Sequence, residues 1–552
     1  MDLKGVGFIR QAAIDLTSAP GQGVQSRATP ARAPSAASIR LYHLCDGLTE
    51  LLIYGLVVFT PWAFGTTQPW SIRTMNIGGH ALGLLLGVKL VIRWFQNYRP
   101  ARWSDEPRSG AAARRAGELL TENKLTITLA ALTVAILTYC LLGAVNARAS
   151  FQNESMTFEY RDCIRWLPHS LDAGGTWLAF WSYLGLAGAF WAVRDWLLGK
   201  AHGEERIQRQ RGGFAETLAG AHGAEKPTRG AGSGSSKATT PMPARLRNLL
   251  WLLALNGALL GLEGIIQRAA DSPNLLFLVK PRLHQAAELQ FGPYAYRSNA
   301  AQYFNLVWPV CLGVWWTLNR TAARKNNLHH ILLLCAASMA ACPIISTSRG
   351  GALVTVGMGG LAAVFLAGAR LVFPTGRRES RRRWTLTIVA LGLFFATALG
   401  LGFALGWEKL KPRMDSVNES LAGREELYAA ARQMADDYPW FGTGPGTFET
   451  VSQLYPRPDV FWPAQLHNDW LETRITFGRL GGALVGLALG VVLLRWFIRG
   501  GIHGGRRFVG LTWLALAGCL AHARFDFPFQ VPSILFLAVI LCAVLFVLSR
   551  RV

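Results

Sequence analysis

Ionisable residues stand beside long apolar runs at several distant points of the chain. Charged groups near hydrocarbon are costly, so they indicate function unless a neighbour neutralises them. Arginine is the residue expected to hold a phosphate or pyrophosphate, because its guanidinium stays charged and forms a two-pronged fork to the oxygens. The candidate residues are Glu263, Arg297, Arg349, Arg424, His467, Arg524 and Asp526.

His467 is the candidate for proton transfer. It immediately precedes the predicted N-terminus of one apolar span, as Arg349 does for another. Helix N-termini offer free N–H donors and a dipole that attracts anions. The same dipole disfavours imidazolium and keeps His467 able to accept a proton. Asp469 followed by Glu472 resembles a capping box at the start of this span.

Each of these residues also has a plainer interpretation when it is taken alone. An arginine at the end of a span often extends to the lipid headgroups, as Arg297 and Arg524 would. A histidine in a loop is usually a surface residue, and Glu263 would be satisfied by a neighbouring arginine. A functional site is favoured because the residues come from distant parts of the chain and converge on one face of a membrane.

The elements that position these residues are membrane-spanning helices. The chain has 552 residues, of which 51% are apolar, and runs long enough to cross a bilayer recur along it. We therefore predict an all-α polytopic membrane protein with about twelve transmembrane helices. The runs lie at residues 48–64, 77–94, 125–145, 177–193, 249–266, 301–318, 331–345, 352–372, 386–405, 477–497, 508–523 and 532–548.

The formal net charge of +23 reports on membrane topology. Basic clusters fall between alternate spans, the densest at residues 377–383, and the positive-inside rule places such clusters in the cytoplasm. Both termini are then cytoplasmic, because the number of spans is even, and the candidate residues face the periplasm from a bacterial inner membrane. A nucleic-acid partner is not expected, because the aromatic residues lie in spans rather than among the basic residues.

Composition divides the chain into six segments. Residues 1–43 are predicted to be a disordered cytoplasmic tail and residues 203–244 a low-complexity cytoplasmic spacer, since neither has the apolar residues that a core requires. N-terminal transmembrane helices occupy residues 44–202, central helices 245–405 and C-terminal helices 477–552. Residues 406–476 form a large periplasmic loop between the ninth and tenth helices.

The long loop contains a predicted amphipathic helix at Gly423–Asp437, with Arg424 on one of its polar faces. Pro439 is expected to follow its end. The glycine run at 442–446 predicts turns and is weak evidence for phosphate binding, because it follows no strand and lacks a P-loop lysine. The apolar stripe of the helix consists of Leu427, Ala431 and Met434.

One pattern in this region is specific to a known family. His467-Asn468, nine residues, Gly478, two residues and Gly481 match the signature His-[Asn/Ser/Gln]-x9-Gly-x-x-[Gly/Tyr/Thr]. With it the chain resembles the O-antigen ligases of the WaaL and Wzy_C class, which includes related polymerases and protein oligosaccharyltransferases. The other similar segments are Asp437–Phe448, Ser348-Arg349-Gly350, Asp526-Phe527-Pro528 and, less closely, Arg297-Ser298-Asn299.

The resemblance implies a GT-C-like helical fold and a glycosyltransferase that needs neither a metal nor a cofactor. The implied donor is a glycan on undecaprenyl pyrophosphate, and the acceptor is a hydroxyl of lipid A core, a growing polysaccharide or a protein. By the same resemblance Arg349 and Arg424, together with Arg297, hold the pyrophosphate, and His467 activates the acceptor. The remaining candidates for a supporting function are Glu263, Asp469, Glu472, Arg524 and Asp526.

A transporter or flippase for lipid-linked glycans is the main alternative from another class of protein. Such carriers usually show internal repeats, interrupted spans and charges at the membrane midplane. The sequence contains no evident internal repeat, and its candidate ionisable residues gather at one face. The sequence therefore favours an enzyme over a carrier.

Overall fold

Long helices dominate the structure, a computed structural model that describes residues 35–102, 112–201, 204, 242–282, 285–321, 327–372, 381–455, 464–499 and 505–548. The helices are α1 (Ala36–Trp62), α2 (Pro69–Phe95), α3 (Ala112–Val145), α4 (Ala173–Leu198), α5 (Ala244–Ala269), α6 (Arg297–Thr321), α7 (Ile331–Ile345), α8 (Arg349–Val372), α9 (Arg381–Gly402), α10 (Glu408–Asp415), α11 (Val417–Asp437), α12 (Asp469–Arg499), α13 (Arg506–His522) and α14 (Pro532–Leu548). The all-α prediction is confirmed, with one two-stranded hairpin added.

Each predicted span coincides with one of these helices, and α10 and α11 lie between the ninth and tenth of them. Within the described ranges, nine helices are long and apolar enough to cross a membrane. The protein is therefore a multi-pass membrane protein. Helix α14 is apolar but shorter, and α13 has 17 residues.

Helix α6 is the most central element, and its polar residues explain why it is less apolar than its neighbours. Trp308 and Trp315 on this helix are completely enclosed in the main apolar core. Asn305 is also buried, where its amide donates to the Gly351 carbonyl at 3.1 Å and accepts from the Thr355 hydroxyl at 2.6 Å. These bonds tie α6 to α8 and satisfy polar groups that would otherwise be costly in a dry interior.

A buried ionic cluster joins the ends of α1, α2 and α4. Lys89 lies 2.8 Å from Asp46 and 3.1 Å from Asp195, and Arg93 lies 2.6 Å from Asp195. Removing one partner of such a pair leaves an uncompensated buried charge and typically costs about 3–5 kcal/mol. The cluster therefore holds three helices in register at the end opposite to the candidate residues.

Helices extend beyond the apolar runs that revealed them. Helix α1 begins at Ala36, so residues 36–43 are helical rather than part of the tail. Helix α9 continues through a π-helical turn at Phe403–Trp407 into α10, and α12 begins at Asp469, so both ends of the predicted long loop are helical. Hydropathy marks the part of a helix that crosses hydrocarbon, not the residue where the helix ends. Residues 1–34 and all of the spacer except 204 and 242–244 lie outside the described residues.

The loop between α3 and α4 contains the hairpin, which the sequence analysis did not predict. Strand β1 (Ala149–Gln152) pairs antiparallel with β2 (Thr157–Tyr160), with Ala149 opposite Tyr160. Ala149 is fully buried. The Arg148 amide donates to the Ser170 carbonyl at 2.7 Å, so the hairpin is held against the segment that leads into α4.

The predicted topology leads to a labelling experiment. We expect a cysteine at Gln433, which is exposed on α11, to react with an impermeant maleimide in intact cells whose outer membrane has been opened. A cysteine at Ser380, in the basic segment between α8 and α9, should react only after the inner membrane is permeabilised. Cys163 is changed to serine in both variants, because it is partly exposed in the loop between α3 and α4. The reverse labelling pattern would place the candidate site in the cytoplasm.

Candidate functional site

The turn before α12 presents His467, and it is built by local hydrogen bonds. Asn468 caps the helix, since its side-chain oxygen accepts from the Leu471 amide at 3.1 Å. Glu472 reaches back over the turn and accepts from the Leu466 amide at 3.2 Å. The predicted capping box at Asp469 and Glu472 is therefore wrong by one position: Asn468 is the cap, and Glu472 stabilises the residue on the other side of His467.

Asp469 has a different partner from the one that a capping box would give it. Its carboxylate accepts from the Phe529 amide at 2.8 Å and from the Gln530 side chain at 3.3 Å. Its own amide donates to the Ala523 carbonyl at 2.9 Å. Asp469 thus fastens the start of α12 to the connection between α13 and α14, which carries Asp526.

His467 has an unusual backbone conformation. Its φ of 57° lies in the left-handed region, which residues other than glycine adopt uncommonly and often at functional sites. The Tyr428 hydroxyl donates to the His467 carbonyl at 2.9 Å, so a residue of α11 holds this turn in place.

The imidazole of His467 is oriented by a carboxylate. Its Nδ1 lies 3.2 Å from Oδ1 of Asp526, with the histidine side chain 29% exposed and the aspartate 6%. A carboxylate only accepts hydrogen bonds, so Nδ1 carries a proton, and in the neutral imidazole Nε2 then presents a lone pair. The Phe527 ring packs edge-on against the imidazole at 4.8 Å between centroids. A histidine whose ring is oriented by a carboxylate in this way can act as a general base.

Asp526 is buried but remains ionised. Its Oδ2 accepts from the Ser298 hydroxyl, and its Oδ1 accepts from the Phe527 amide at 3.1 Å. Burial by itself would raise the pKa of Asp526, but the hydrogen bond from His467, the neighbouring imidazoles of His522 and His467, and the Ser298 hydroxyl together lower it. The carboxylate can therefore stabilise a positive charge that forms on His467.

Two predicted arginines approach this pair from α8 and α11. Arg349 donates from Nη1 to the carbonyls of Arg413 and Ser416, at 3.1 and 3.3 Å. Arg424 donates from Nη1 to the Phe525 carbonyl at 2.7 Å, next to Asp526. These acceptors are neutral, and within the described ranges neither guanidinium forms a salt bridge. Their charge therefore remains available to an anion.

A third guanidinium, that of Arg413 on α10, belongs to the same group. The charges of Arg424, Arg413 and Arg349 all act on the Tyr296 phenol, and those of Arg349 and Arg424 repel one another. Burial and the Asp526 charge raise the pKa of Tyr296, which keeps the phenol neutral. The sequence analysis missed Arg413 because it stands beyond the apolar run, with nothing to distinguish it from nearby Lys409 and Lys411.

Residues 334–486 match the family model described as O-antigen ligase, Wzy_C. The matched segment contains Arg349, Arg413, Arg424 and His467, together with both glycines of the signature. The chain carries an O-antigen ligase domain. The predicted relation to ligase- and polymerase-type membrane glycosyltransferases is thereby confirmed, and no curated protein matches the chain.

Gly478, a signature glycine of the ligase domain, allows a break in the backbone of α12. Gly478 interrupts α12 with a φ of 62° and a ψ of −167°, and a Cβ there would lie 2.4 Å from the Trp440 carbonyl oxygen. The break frees carbonyls of α12, so that the Thr443 amide binds the Ile475 carbonyl at 2.8 Å. The Tyr139 hydroxyl, on α3, bridges the two segments that meet here, because it donates to one backbone carbonyl in each of them. The accepting residues are Phe441, at 2.6 Å, and Phe477, at 2.8 Å.

Helix α11 of the ligase domain packs as predicted. Ala431 and Met434 are fully buried and Leu427 partly buried in one small core, which they share with Phe448 and Ile475. The predicted apolar stripe is confirmed. On another face, Tyr428 reaches the turn that carries His467 and Arg424 reaches the Phe525 carbonyl next to Asp526, whereas Arg432 points to solvent and pairs with Glu425 at 2.6 Å.

Three other predicted residues lie outside this group of contacts. Arg297 is buried and donates to the Glu288 carbonyl at 2.9 Å, so it anchors the loop before α6, while its neighbour Ser298 contacts Asp526. Both carboxylate oxygens of Glu263 lie buried near Gly292 and have no hydrogen-bond partner among the described residues. Arg524 is exposed.

Gly478 gives a test of the architecture that positions His467. Gly478→Ala should destabilise the folded protein by about 1–3 kcal/mol, because its backbone conformation is one that essentially only glycine adopts. The loss should be visible as a lower melting temperature of the detergent-solubilised protein. Gly482→Ala on the same helix is the matched control, since a Cβ there meets no atom within 4 Å. Equal melting temperatures for the two variants would contradict the interpretation of the helix break.

Proposed function

We propose that the chain transfers a glycan from undecaprenyl pyrophosphate to an acceptor hydroxyl on the periplasmic face of the inner membrane. The observation that carries this proposal is that His467, oriented by the Asp526 carboxylate, lies near the guanidinium groups of Arg349 and Arg424, whose hydrogen-bond partners are neutral carbonyls. The histidine supplies a base, and the arginines supply positive charge for an anionic leaving group. A membrane glycosyltransferase with a pyrophosphate-linked donor needs both.

The arginine group is suited to pyrophosphate. Arg349, Arg413 and Arg424 bring three permanent positive charges around Tyr296, and the guanidinium fork matches phosphate oxygens. Charge develops on the pyrophosphate as its bond to the sugar breaks, so fixed cations stabilise the transition state more than the bound donor. We therefore expect transfer to continue in EDTA, and a requirement for added divalent metal would contradict this account.

The proposed reaction is a displacement at the anomeric carbon of the donor sugar. His467 Nε2 takes the proton of the acceptor hydroxyl while the acceptor oxygen forms a bond to that carbon. The bond between the carbon and the pyrophosphate oxygen breaks, and undecaprenyl pyrophosphate leaves with the electron pair. Asp526 stays ionised and stabilises the imidazolium that forms.

An apolar cavity of about 350 Å³ supports a lipid-linked donor. It lies among α3, α4, α12, α13 and α14, and its lining is apolar except for a few residues, including Glu472 and Gln530. Glu472 also accepts from the Leu466 amide in the His467 turn, and Gln530 donates to the Asp469 side chain. Space for an isoprenoid tail therefore adjoins the elements that present the catalytic groups.

The His467–Asp526 pair favours an enzyme over a flippase, because translocation needs no base. The decisive experiment uses purified protein in vesicles with a defined oligosaccharide on undecaprenyl pyrophosphate and a candidate acceptor, either lipid A core or a polysaccharide fragment. We expect a product in which the glycan is joined to one acceptor, and the product of a single transfer identifies a ligase or a polymerase. Movement of the donor between leaflets without transfer to any acceptor would support the flippase instead.

A further inference from the structure

A second histidine lies behind the catalytic pair and takes no part in the proposed reaction. His522, the last residue of α13, is 1% exposed, and within the described part of the chain its ring nitrogens have no hydrogen-bond partner. Its Nε2 lies 3.8 Å from Oδ2 of Asp526. The Asp526 carboxylate is therefore enclosed between two imidazoles, one facing the solvent and one facing the core.

The position of the His522 ring depends on the turn where α8 begins. A Cβ on Gly350 would lie 2.9 Å from His522 Nε2 and 3.1 Å from the Phe525 ring, so the missing side chain at Gly350 leaves room for both rings. The same turn carries Ser348, whose hydroxyl lies 3.2 Å from that of Ser298, the residue that donates to Asp526. Three elements thus converge on the buried side of one carboxylate.

We propose that His522 is a positioning residue for the His467–Asp526 pair, holding the Asp526 carboxylate ionised and directed at His467. This inference rests on the proposed function, because it assigns His522 to the support of the proposed base. A neutral imidazole directs an N–H dipole toward Oδ2 without adding a charge. A gap of 3.8 Å is longer than a hydrogen bond, and we expect it to close when Asp526 must stabilise the imidazolium of His467.

Burial favours a neutral His522, whereas the charge of the nearby Asp526 acts in the opposite direction. The Arg424 charge acts on it from α11, and the ring lies at the N-terminus of α8, beside Gly350, where the helix dipole disfavours a cation. The ionised group that faces it is Asp526, which already accepts from His467 and Ser298. A protonated His522 would compete with the imidazolium of His467 for the same carboxylate.

Three substitutions separate positioning from simple packing. His522→Leu keeps most of the volume but removes the donor, His522→Ala removes both, and His522→Gln keeps a neutral donor that does not titrate. We expect Leu and Ala to lower kcat by about tenfold or more, as for the loss of partners that orient metal-bound histidines, with little change in the KM for the donor. Gln should restore kcat toward the wild-type value. The control is His169→Gln, in the loop before α4, where Nδ1 lies 3.0 Å from the Leu167 carbonyl oxygen.

The pH profile gives a second measurement that packing alone would not change. Asp526 stabilises the imidazolium of His467, so a carboxylate that is held less firmly makes this cation less favourable. The acidic limb of kcat/KM should therefore move to lower pH in His522→Leu and return in His522→Gln.

Wild-type kcat and an unmoved limb in His522→Leu would overturn the inference, as would a Gln variant no better than Leu. The proposed function is tested separately in the same assay by His467→Ala. If His467→Ala is active, His467 is not the base and the proposed function is refuted. If His467→Ala is inactive but every His522 variant behaves like the wild type, only the inference about His522 is refuted. Melting temperatures of all variants establish that each protein is folded.

Discussion

His467→Ala should reduce glycan transfer by about a hundredfold to ten-thousandfold, the range typical of a lost general base. Donor binding should be almost unchanged, because the guanidinium groups of α8, α10 and α11 remain in place. The measurements are the rate of transfer in vesicles and the binding of a fluorescent undecaprenyl-pyrophosphate donor. His169→Ala, outside the site, is the matched control.

Asp526→Asn extends the same expectation to the partner of the base. The amide keeps the size of the carboxylate but cannot neutralise an imidazolium, and its NH2 group favours the wrong tautomer of His467. We expect this variant to lose nearly as much activity as His467→Ala, and the double variant to lose little more, because the two residues act as a unit. Additive losses would show that they act independently, and full activity of His467→Ala would eliminate the proposed base.

Arg424→Lys should lower kcat/KM for transfer by about tenfold to a hundredfold, which corresponds to one hydrogen bond to a charged group. Lysine keeps the charge but lacks the planar fork that can bind the Phe525 carbonyl and a phosphate oxygen together. Arg432→Lys is the matched control on the same helix, since that arginine is exposed and paired with Glu425.

Arg524→Lys gives a second comparison, because Arg524 is exposed and a basic side chain at the headgroups tolerates the exchange. Its transfer rate should remain close to that of the unmodified protein. If Arg424→Lys were as active as Arg432→Lys, Arg424 would have no specific contact with pyrophosphate. If Arg524→Lys failed while Arg424→Lys worked, the anion would bind nearer to α13 than proposed.

The sequence by itself determined the long apolar helices and the amphipathic loop helix. Bilayer thickness sets a minimum length for an apolar run that crosses the membrane, so each such run is visible without knowledge of its neighbours. The stripe of Leu427, Ala431 and Met434 is similarly visible, because α11 has water on one side and a core on the other. The order and spacing of Arg349, Arg424 and His467 were also sufficient to indicate the ligase family, which the match at 334–486 confirms.

The local hydrogen bonds were harder to assign where neighbouring residues compete for the same position. Asn468, Asp469 and Glu472 can all cap a helix, and only the backbone path of the turn decides that Asn468 does so while Asp469 binds the Phe529 amide. Gly478 could be read from the sequence as a motif position. Why this position needs a glycine is visible only in the structure, where the Trp440 carbonyl oxygen leaves no room for a Cβ.

Only the tertiary structure determined which side chains meet. His467 and Asp526 are separated by 59 positions, and Arg413 joins the arginine group from a helix that the sequence analysis left in a loop. In a membrane, residues that face lipid and residues that face the core are both apolar, so periodicity does not reveal the rotation of a span about its axis. That rotation is decided by packing between helices, and it places Ser298, His522 and the start of α8 around the carboxylate of Asp526.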